Sequence, residues 1–322
     1  MKVCLLGGAG VISSSVSELF ATLHEVTCVM RSAHPLPPRC RLMRCDVNDE
    51  SALTALLRRE HFDAVVDFIT FTPDQAQMRI RCFEGLCDRY VFVSTATVYE
   101  KPPRHPVISE ATPAVNPYSA YAQQKILCEE VFRAAAMPVT IVRPFMTYGN
   151  TMIPFILRPR HAPYMLVQRM REGKPILVPG DGNIFATCTH AMDTARALHG
   201  IITTPATARE TLNIVSDECH SWNEVAELIA EAAGAQPPKL VHVASDRLVE
   251  AEPSLLAELH GDKAHPAVFD NSKIKTLLPG FACQVSLREG LRRTIACMDA
   301  HRQIVDSAWD SWCDDMIARY GA

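Results

Sequence analysis

The sequence has little of what marks secreted, membrane-spanning or nucleic-acid-binding chains. Its twelve cysteines include no C-x-x-C pair, and the closest spacings are Cys40/Cys45 and Cys82/Cys87. That argues against a zinc site or a dithiol redox motif. Cys4 and Cys28 lie inside apolar, strand-like runs, where cysteine behaves as a small hydrophobe. Reduced thiols in a cytoplasmic setting are therefore expected, with no disulfide scaffold and no metal. No apolar run is long enough to cross a bilayer, and no leader-like segment precedes the first strand at Lys2. There is no long basic run, and the formal net charge is -4. Nucleic acid and anionic membranes are therefore poor candidate partners. No internal repeat or low-complexity tract is visible.

What is present is a large apolar fraction, 48% of 322 residues, enough for two domains or one domain with an appended lobe. Lys2–Leu6, Glu25–Met30, Arg41–Asp46, Asp63–Ile69, Tyr90–Ser94 and Val139–Arg143 read as strands. Helices are expected over Ile12–Leu23 and over Glu50–Glu60, the latter capped by Asn48 or Asp49. Apolar strands alternating with helices predict a parallel sheet with crossover helices. After Asn150 the texture changes: Pro154, Pro159, Pro163, Pro175 and Pro179 break the segment into loops and short helices, a plausible substrate-facing lobe. Helical periodicity returns at Ala191–Ile202, a strand at Thr211–Val215, and an amphipathic helix at Trp222–Ala233 with Ser221 as cap. Trp309, Trp312, Met316 and Tyr320 recur at helical spacing and read as a packing stripe.

Three short motifs carry chemistry. Gly7-Gly8-Ala9-Gly10 follows a strand and precedes a helix. In that context Gly7 and Gly10 allow a tight turn and close approach to a pyrophosphate, which the helix N-terminus attracts. The third position of the fingerprint is Ser13 instead of glycine, so slightly looser helix–strand packing is expected. At the end of the second strand, Cys28-Val29-Met30-Arg31-Ser32 contains no carboxylate to grip ribose hydroxyls. Arg31 and Ser32 suit a 2′-phosphate, so NADP(H) is the expected cofactor and NAD(H) the alternative. Asp46-Val47, after the third strand, is placed to touch adenine, or Asp46 caps the next helix.

Tyr121 and Lys125 are one helical turn apart and share a face. A free tyrosine, with a pKa of about 10, is a poor base near neutrality; a neighbouring ammonium favours the phenolate and brings it nearer working pH. Thr95 can hydrogen-bond the same substrate oxygen. Lys125 can also bond the nicotinamide ribose. Together these residues point to hydride transfer at an alcohol or ketone carbon.

With Gly7-Gly8-Ala9-Gly10, Asp46-Val47, Ser94-Thr95-Ala96-Thr97-Val98-Tyr99, Tyr121 to Lys125, Arg143-Pro144, Tyr148-Gly149, and His190 with Asp193, the chain resembles an extended short-chain dehydrogenase/reductase of the NAD-dependent epimerase/dehydratase family. The motifs run in the expected order over most of the first 200 positions. The resemblance implies an α/β fold: a Rossmann-type doubly wound parallel sheet with a smaller C-terminal α/β substrate lobe. The corresponding boundaries are 1–150 plus about 186–216 for the dinucleotide domain, and 151–185 with 217–322 for the lobe. It also implies a homodimer packed through the helix carrying Tyr121, and a sugar-like substrate. Val11, Ile12, Phe68 and Pro144 join the expected cofactor residues on this resemblance. Thr95, Met146, Ala186 and His190 are the expected substrate-side positions.

Departures from the family pattern narrow the chemistry. Sugar 4,6-dehydratases follow the threonine with Asp-Glu, where this chain has Ala96-Thr97, so that elimination is not expected. Nucleotide-sugar binders often carry Asn at Met146 and Arg at Ala186, and neither replacement reproduces those polar contacts. Arg158, Arg160, Arg169 or Arg171 could compensate. His190 is expected to organise the cleft or to be a satisfied core histidine. Three readings follow. The first is an NADPH-dependent ketoreductase or dehydrogenase acting on a sugar-like substrate, such as an amino-sugar or glycoside intermediate. The second is a nucleotide-sugar epimerase with tightly bound NAD. The third is a non-catalytic nucleotide- or RNA-binding relative.

Overall fold

A computed structural model describes all residues except Ala33, Arg160, Arg302 and Ala322. Seven strands form one sheet: β1 (Lys2–Leu6), β2 (Glu25–Met30), β3 (Cys40–Arg44), β4 (Ala64–Asp67), β5 (Tyr90–Val93), β6 (Val139–Pro144) and β7 (Thr211–Ile214). Their spatial order is β7-β6-β5-β4-β1-β2-β3 and every pairing is parallel. The central strands are buried on both faces, so their sequences read as near-continuous apolar runs. The order reverses direction between β1 and β4. A crevice therefore opens at their carboxyl ends, where doubly wound sheets receive ligands.

Two apolar layers clamp this sheet. Helix α1 (Val11–Leu23) and helix α6 (Ala191–Thr203) pack through Val16, Phe20, Ala195, Leu198 and Ile202 on one face. Helices α2 (Glu50–Leu57), α3 (Pro73–Phe83) and α4 (Ala120–Arg133) cover the other through Leu53, Leu57, Phe83, Cys128 and Phe132. Asp49 caps α2 by accepting from Ala52 N at 2.9 Å. Asp46 instead accepts from Asn48 N at 3.0 Å within its own turn, so its expected helix-capping role passes to Asp49. Ser13 is 3% exposed and Ser17 Oγ donates to Ser13 O at 2.8 Å, so the small serines pack tightly where looser contact was expected.

Helix α3 has a clear local cause that strand periodicity does not display. Thr72 Oγ1 accepts from Gln75 N, the Gln75 side chain accepts from Thr72 N, and Pro73 stands at the first turn. Thr72-Pro73-Asp74-Gln75 is thus a capping box with a proline start, a signal readable from sequence.

A separate apolar cluster builds the C-terminal lobe around Trp222, Phe155, Ile229, Leu291 and Met316. It contains helix α5 (Tyr164–Arg171), helix α7 (Trp222–Ala232), the helices Leu287–Asp299 and Ser307–Tyr320, and a parallel pair, Ile176–Pro179 with Leu240–Val243. The expected loop-rich texture is therefore more regular than its prolines suggest. In the last helix Met316 is buried and Trp312 packs partly against the cluster, consistent with a packing stripe.

The lobe uses arginines as internal fasteners. Arg169, 1% exposed, donates to Asp310 Oδ1 at 2.5 Å and to Asp314 Oδ1 at 2.8 Å. Arg171 donates to both carboxylate oxygens of Asp299 at 2.8 Å. Both of these candidate diphosphate ligands are thus engaged in holding helices together. Arg160 lies outside the described residues. Among the described residues no helix is long and apolar enough to cross a membrane.

Candidate active site

The carboxyl edge of the sheet gathers the three sequence motifs. Gly7 leaves β1 with φ +84°, and a Cβ there would meet Ile69 Cγ2 at 2.7 Å. Only glycine satisfies both the positive φ and the approach of the β4 loop. A Cβ on Gly8 would meet Cys28 Sγ at 3.1 Å and Met30 Sδ at 3.2 Å, a second tight approach. Gly10 adopts an ordinary extended conformation at the head of α1, so its contribution is the absence of a side chain at the helix mouth. Its N–H donates to Ser13 Oγ at 2.8 Å. Val11 and Ile12 begin the helix, half-buried. Arg31 and Ser32 are exposed beyond β2, and Ser32 Oγ lies 3.1 Å from His34 Nε2. Asp46 is exposed and Val47 buried, both at the same edge. These positions fit a dinucleotide: a side-chain-free cradle with a helix N-terminus beneath it.

The β4 end is shaped by a buried carboxylate outside the sequence motifs. Asp67 accepts from Ile69 N at 2.9 Å, Thr70 N at 3.1 Å, Thr70 Oγ1 at 2.5 Å and Tyr90 Oη at 2.6 Å. It thereby fixes the turn through Phe68, whose N–H donates to Leu6 O at 3.2 Å. The Asp closing the apolar run Ala64-Val65-Val66-Asp67 was the available signal.

Thr95 lies just past β5 and caps the short 3-10 turn Ala96–Val98 by accepting from Thr97 N at 3.2 Å. Tyr121 and Lys125 lie in α4, which Ser119 caps by accepting from Ala122 N. Tyr121 is 47% exposed. Desolvation pushes its hydroxyl up to about 12, and the nearby Thr95 hydroxyl offsets only part of the rise. Lys125 is 1% exposed and donates to Thr70 O at 2.7 Å and Val93 O at 2.9 Å. Burial brings it down to about 8. Its ammonium lies 6.0 Å from the Tyr121 ring centroid, with two donors committed to carbonyls. The expected lowering of Tyr121 by Lys125 is therefore absent from this geometry, because desolvation outweighs a cation this distant. Tyr121 is held as a phenol, the form that donates a proton.

A second buried carboxylate anchors these residues from below. Glu129, fully buried on α4, accepts from Ser94 Oγ at 2.6 Å, Arg143 Nε at 2.9 Å, Arg143 Nη2 at 2.5 Å and Arg133 Nη2 at 2.6 Å. Arg143 also stacks 4.7 Å over the Tyr99 ring, and Tyr99 Oη donates to Asn213 Oδ1 at 2.6 Å. Burial acts to raise the Glu129 pKa, but Arg143, Ser94 and Arg133 reverse this and leave it below the ordinary glutamate range.

On the lobe side, Pro144 is buried at the end of β6. Met146 is half-buried with φ +40° and Ala186 is 1% exposed, so neither offers a polar side-chain atom. His190 caps α6 by accepting from Met192 N at 3.2 Å on Nδ1, and burial lowers its pKa, keeping it neutral. Asp193 accepts from Gln284 N and Val285 N at 3.0 Å each and from Arg196 at 2.6 Å. The pair thus fastens α6 and the start of the last lobe helices together. Among the described residues, no group of His, Cys, Asp and Glu is arranged to hold a metal.

Residues 78–215 match the model of the NAD dependent epimerase/dehydratase family. That stretch includes Thr95, Tyr121 and Lys125, and over it the chain is similar to that family. It is 24% identical over 257 residues to the chloroplast stem-loop binding protein of 41 kDa b of Arabidopsis thaliana, covering 75% of this chain and 65% of the relative. It thus spans just under two thirds of that relative's length. It is 27% identical over 302 residues to the 2'-dehydrokanamycin reductase of Streptomyces kanamyceticus, covering 87% of this chain and 80% of the relative. Among solved structures, MoeE5 in complex with UDP-glucuronic acid and NAD superposes with a TM-score of 0.72 and 25% identity, over 93% of this chain and 99% of that one.

The Glu129 network yields a stability prediction with a defined pH dependence. Glu129→Gln is expected to lower unfolding free energy at neutral pH by about 3 kcal/mol, because it leaves Arg143 buried and poorly paired. The wild-type carboxylate is held below its unfolded value, so its contribution is complete above the unfolded carboxylate range and fades as pH falls through the folded value. Urea unfolding of both proteins at pH 7 and pH 4 checks this. A gap that stays constant with pH would contradict it.

Proposed function

We propose that this chain is an NADPH-dependent ketoreductase or dehydrogenase acting at a hydroxyl or keto carbon of a sugar-like substrate, such as an amino-sugar or glycoside intermediate. The observation that carries this reading is the placement of Thr95, just past β5, and of Tyr121 and Lys125, on α4, at the carboxyl edge of the sheet. Gly7, Gly10 and the mouth of α1 would hold the pyrophosphate, Arg31 and Ser32 the 2′-phosphate, and Asp46 with Val47 the adenine side. When bound, the dinucleotide supplies or accepts the hydride of the redox step. Thr95 Oγ1 and Tyr121 Oη would hold the substrate oxygen together. In reduction the Tyr121 phenol gives its proton to that oxygen, and in oxidation the phenolate takes it. Lys125 holds the Thr70 and Val93 carbonyls and keeps a third donor for the nicotinamide ribose.

Three points favour net reduction of an unlinked substrate. No carboxylate follows β2; Met146 and Ala186 offer no polar contact to a diphosphate; and Arg169 and Arg171 are committed within the lobe. The reductase among the relatives, aligned over 87% of this chain, agrees with this direction. A nucleotide-sugar epimerase with tightly bound NAD is the second reading, favoured by the likeness to MoeE5 with its UDP-sugar acid and NAD. A homodimer packed through α4 and a cytoplasmic location accompany either reading; Leu127, 41% exposed on that helix, offers apolar surface.

Mass spectrometry of nucleotide released on denaturation separates the two readings. NADP(H), or an empty site preferring NADPH over NADH, supports reduction; stoichiometric NAD supports the epimerase. Arg31→Ala is expected to weaken NADPH binding about tenfold while leaving NADH unchanged, a loss of ~1.4 kcal/mol. Equal weakening of both, read by fluorescence titration, would remove the 2′-phosphate assignment. Tyr121→Phe is expected to cut kcat on keto-sugars by about 100-fold or more with nucleotide affinity unchanged. Full biological function in that variant would favour the non-catalytic reading.

A further inference from the structure

Helix α3 takes no part in the chemistry proposed above, yet it carries a charge that packing does not need. The side chains of Arg79, near its centre, and of Asp67 are both fully buried. Arg79 Nε stands 4.0 Å from Asp67 Oδ2 and has no hydrogen-bond partner among the described residues. Apolar residues of similar volume are often as stabilising as a buried ion pair, or more so. A guanidinium retained in such a place is better explained by the particular groups that it holds.

Those groups belong to the loop after β3. Arg79 Nη1 donates to Val47 O, and Arg79 Nη2 donates to Asn48 Oδ1 at 3.4 Å. Gln75 lies one turn earlier on the same face of α3. Its Nε2 donates to the same Asn48 Oδ1 at 3.1 Å. Asn48 N in turn donates to Asp46 Oδ1 at 3.0 Å. Asp46 and Val47 are the expected adenine contacts, so α3 grips the adenine loop by a backbone carbonyl and by a side chain.

The same two residues of α3 also reach the turn that holds Lys125. Gln75 Oε1 accepts from Phe71 N at 2.8 Å and from Thr72 N at 3.3 Å. Asp67, the partner of Arg79, accepts from Thr70 N at 3.1 Å and from Thr70 Oγ1 at 2.5 Å. Thr70 O accepts from Lys125 Nζ at 2.7 Å. Two routes therefore cross one helix. The first runs from Asn48 through Gln75 to Phe71, and the second from Val47 through Arg79 and Asp67 to Thr70. Every link is a hydrogen bond except the 4.0 Å ion pair between Arg79 and Asp67.

A dinucleotide is held at both ends at once. Where each end rests on a loop free to drift, binding bears the cost of ordering one loop against the other. A fixed separation removes that cost before the ligand arrives.

We propose that Arg79 and Gln75 make α3 a spacer, which fixes the distance between the adenine loop, Asp46 to Asn48, and the Thr70 turn that positions Lys125. Both are positioning residues, acting through Val47, Asn48 and the Thr70 turn. The inference rests on the dinucleotide-dependent reading above. It adds that the whole cofactor binds more tightly than its two halves would on independently moving loops, and that this excess depends on α3.

The test compares NADPH with 2′,5′-ADP, and NADH with 5′-ADP, by calorimetry on the whole protein. Each pair sets a complete cofactor against its adenosine half, so the result is read on whichever cofactor binds. Asn48 is exposed, and Asn48→Ala leaves the core intact. This variant is expected to weaken the complete cofactor about fivefold while changing the adenosine half less than about twofold. Asn48→Asp keeps an acceptor for Gln75 and Arg79 and should restore the wild-type ratio of the two affinities. Arg79→Met cuts the second route and should lower that ratio about tenfold, with urea unfolding to check its fold. Should it fail to fold, the two Asn48 variants decide the matter. Equal weakening of cofactor and half-cofactor would mean that α3 supports the adenine loop alone, and would overturn the spacer while leaving the dinucleotide reading in place. Unchanged affinities for both would do the same. A wild-type protein that binds none of the four nucleotides would remove the dinucleotide reading and the spacer together.

Discussion

The architecture of the site depends on the buried carboxylate of Glu129. It bonds the end of β5 through Ser94, the end of β6 through Arg143, and its own helix through Arg133. Thr95 follows Ser94 directly, and Tyr121 and Lys125 lie about two turns and one turn, respectively, before Glu129 on the same helix. A carboxylate buried beside a guanidinium tolerates little displacement, because desolvation makes any loosened pairing expensive. The distance between strand end and helix is therefore set by an ion pair that never meets substrate. Through Arg143, Tyr99 and Asn213 the constraint continues to β7.

A similar economy governs the second carboxylate, Asp67. Its oxygens satisfy the turn after β4 and a tyrosine from β5, and the turn it shapes presents Thr70 O to Lys125. Lys125 is consequently drawn down onto the sheet edge. This accounts for the difference between the simple expectation of a lysine lowering a tyrosine and the observed pair. The ammonium is buried and partly satisfied by carbonyls, while the phenol is enclosed beside Thr95. Each group is shifted toward its neutral form by the same loss of water.

Much of this architecture was legible in the sequence, for reasons that differ by region. The sheet showed through because parallel strands buried on both faces must be apolar along their length, and the glycine turn is tied to a backbone conformation only glycine adopts. Tyr121, Lys125 and Thr95 were visible as a spaced set whose members do meet at the sheet edge. Helix α3 was overlooked although Thr72-Pro73-Asp74-Gln75 carries its start signal. Glu129 and Asp67 were hidden because a lone acid in an amphipathic or apolar segment looks the same whether solvated or buried. Arg169 and Arg171 drew attention as charges near a ligand, whereas tertiary pairing with Asp310, Asp314 and Asp299 uses them in the lobe. The regular structure of that lobe was obscured by its prolines, of which Pro163, Pro175 and Pro179 sit at or beside the ends of its elements.

Asp262 illustrates what no local reading supplies. The family's dehydratases carry acids directly after the threonine, and this chain has Ala96-Thr97 there. The structure nonetheless ties Thr97, through Asn116, to the π-turn Leu259–Lys263 that carries Asp262, more than 160 residues later in the chain. A carboxyl contributed by the strand end would stay in place whatever the lobe did. One contributed by the lobe is present only while Asn116, Gly261 and Trp222 keep the π-turn docked.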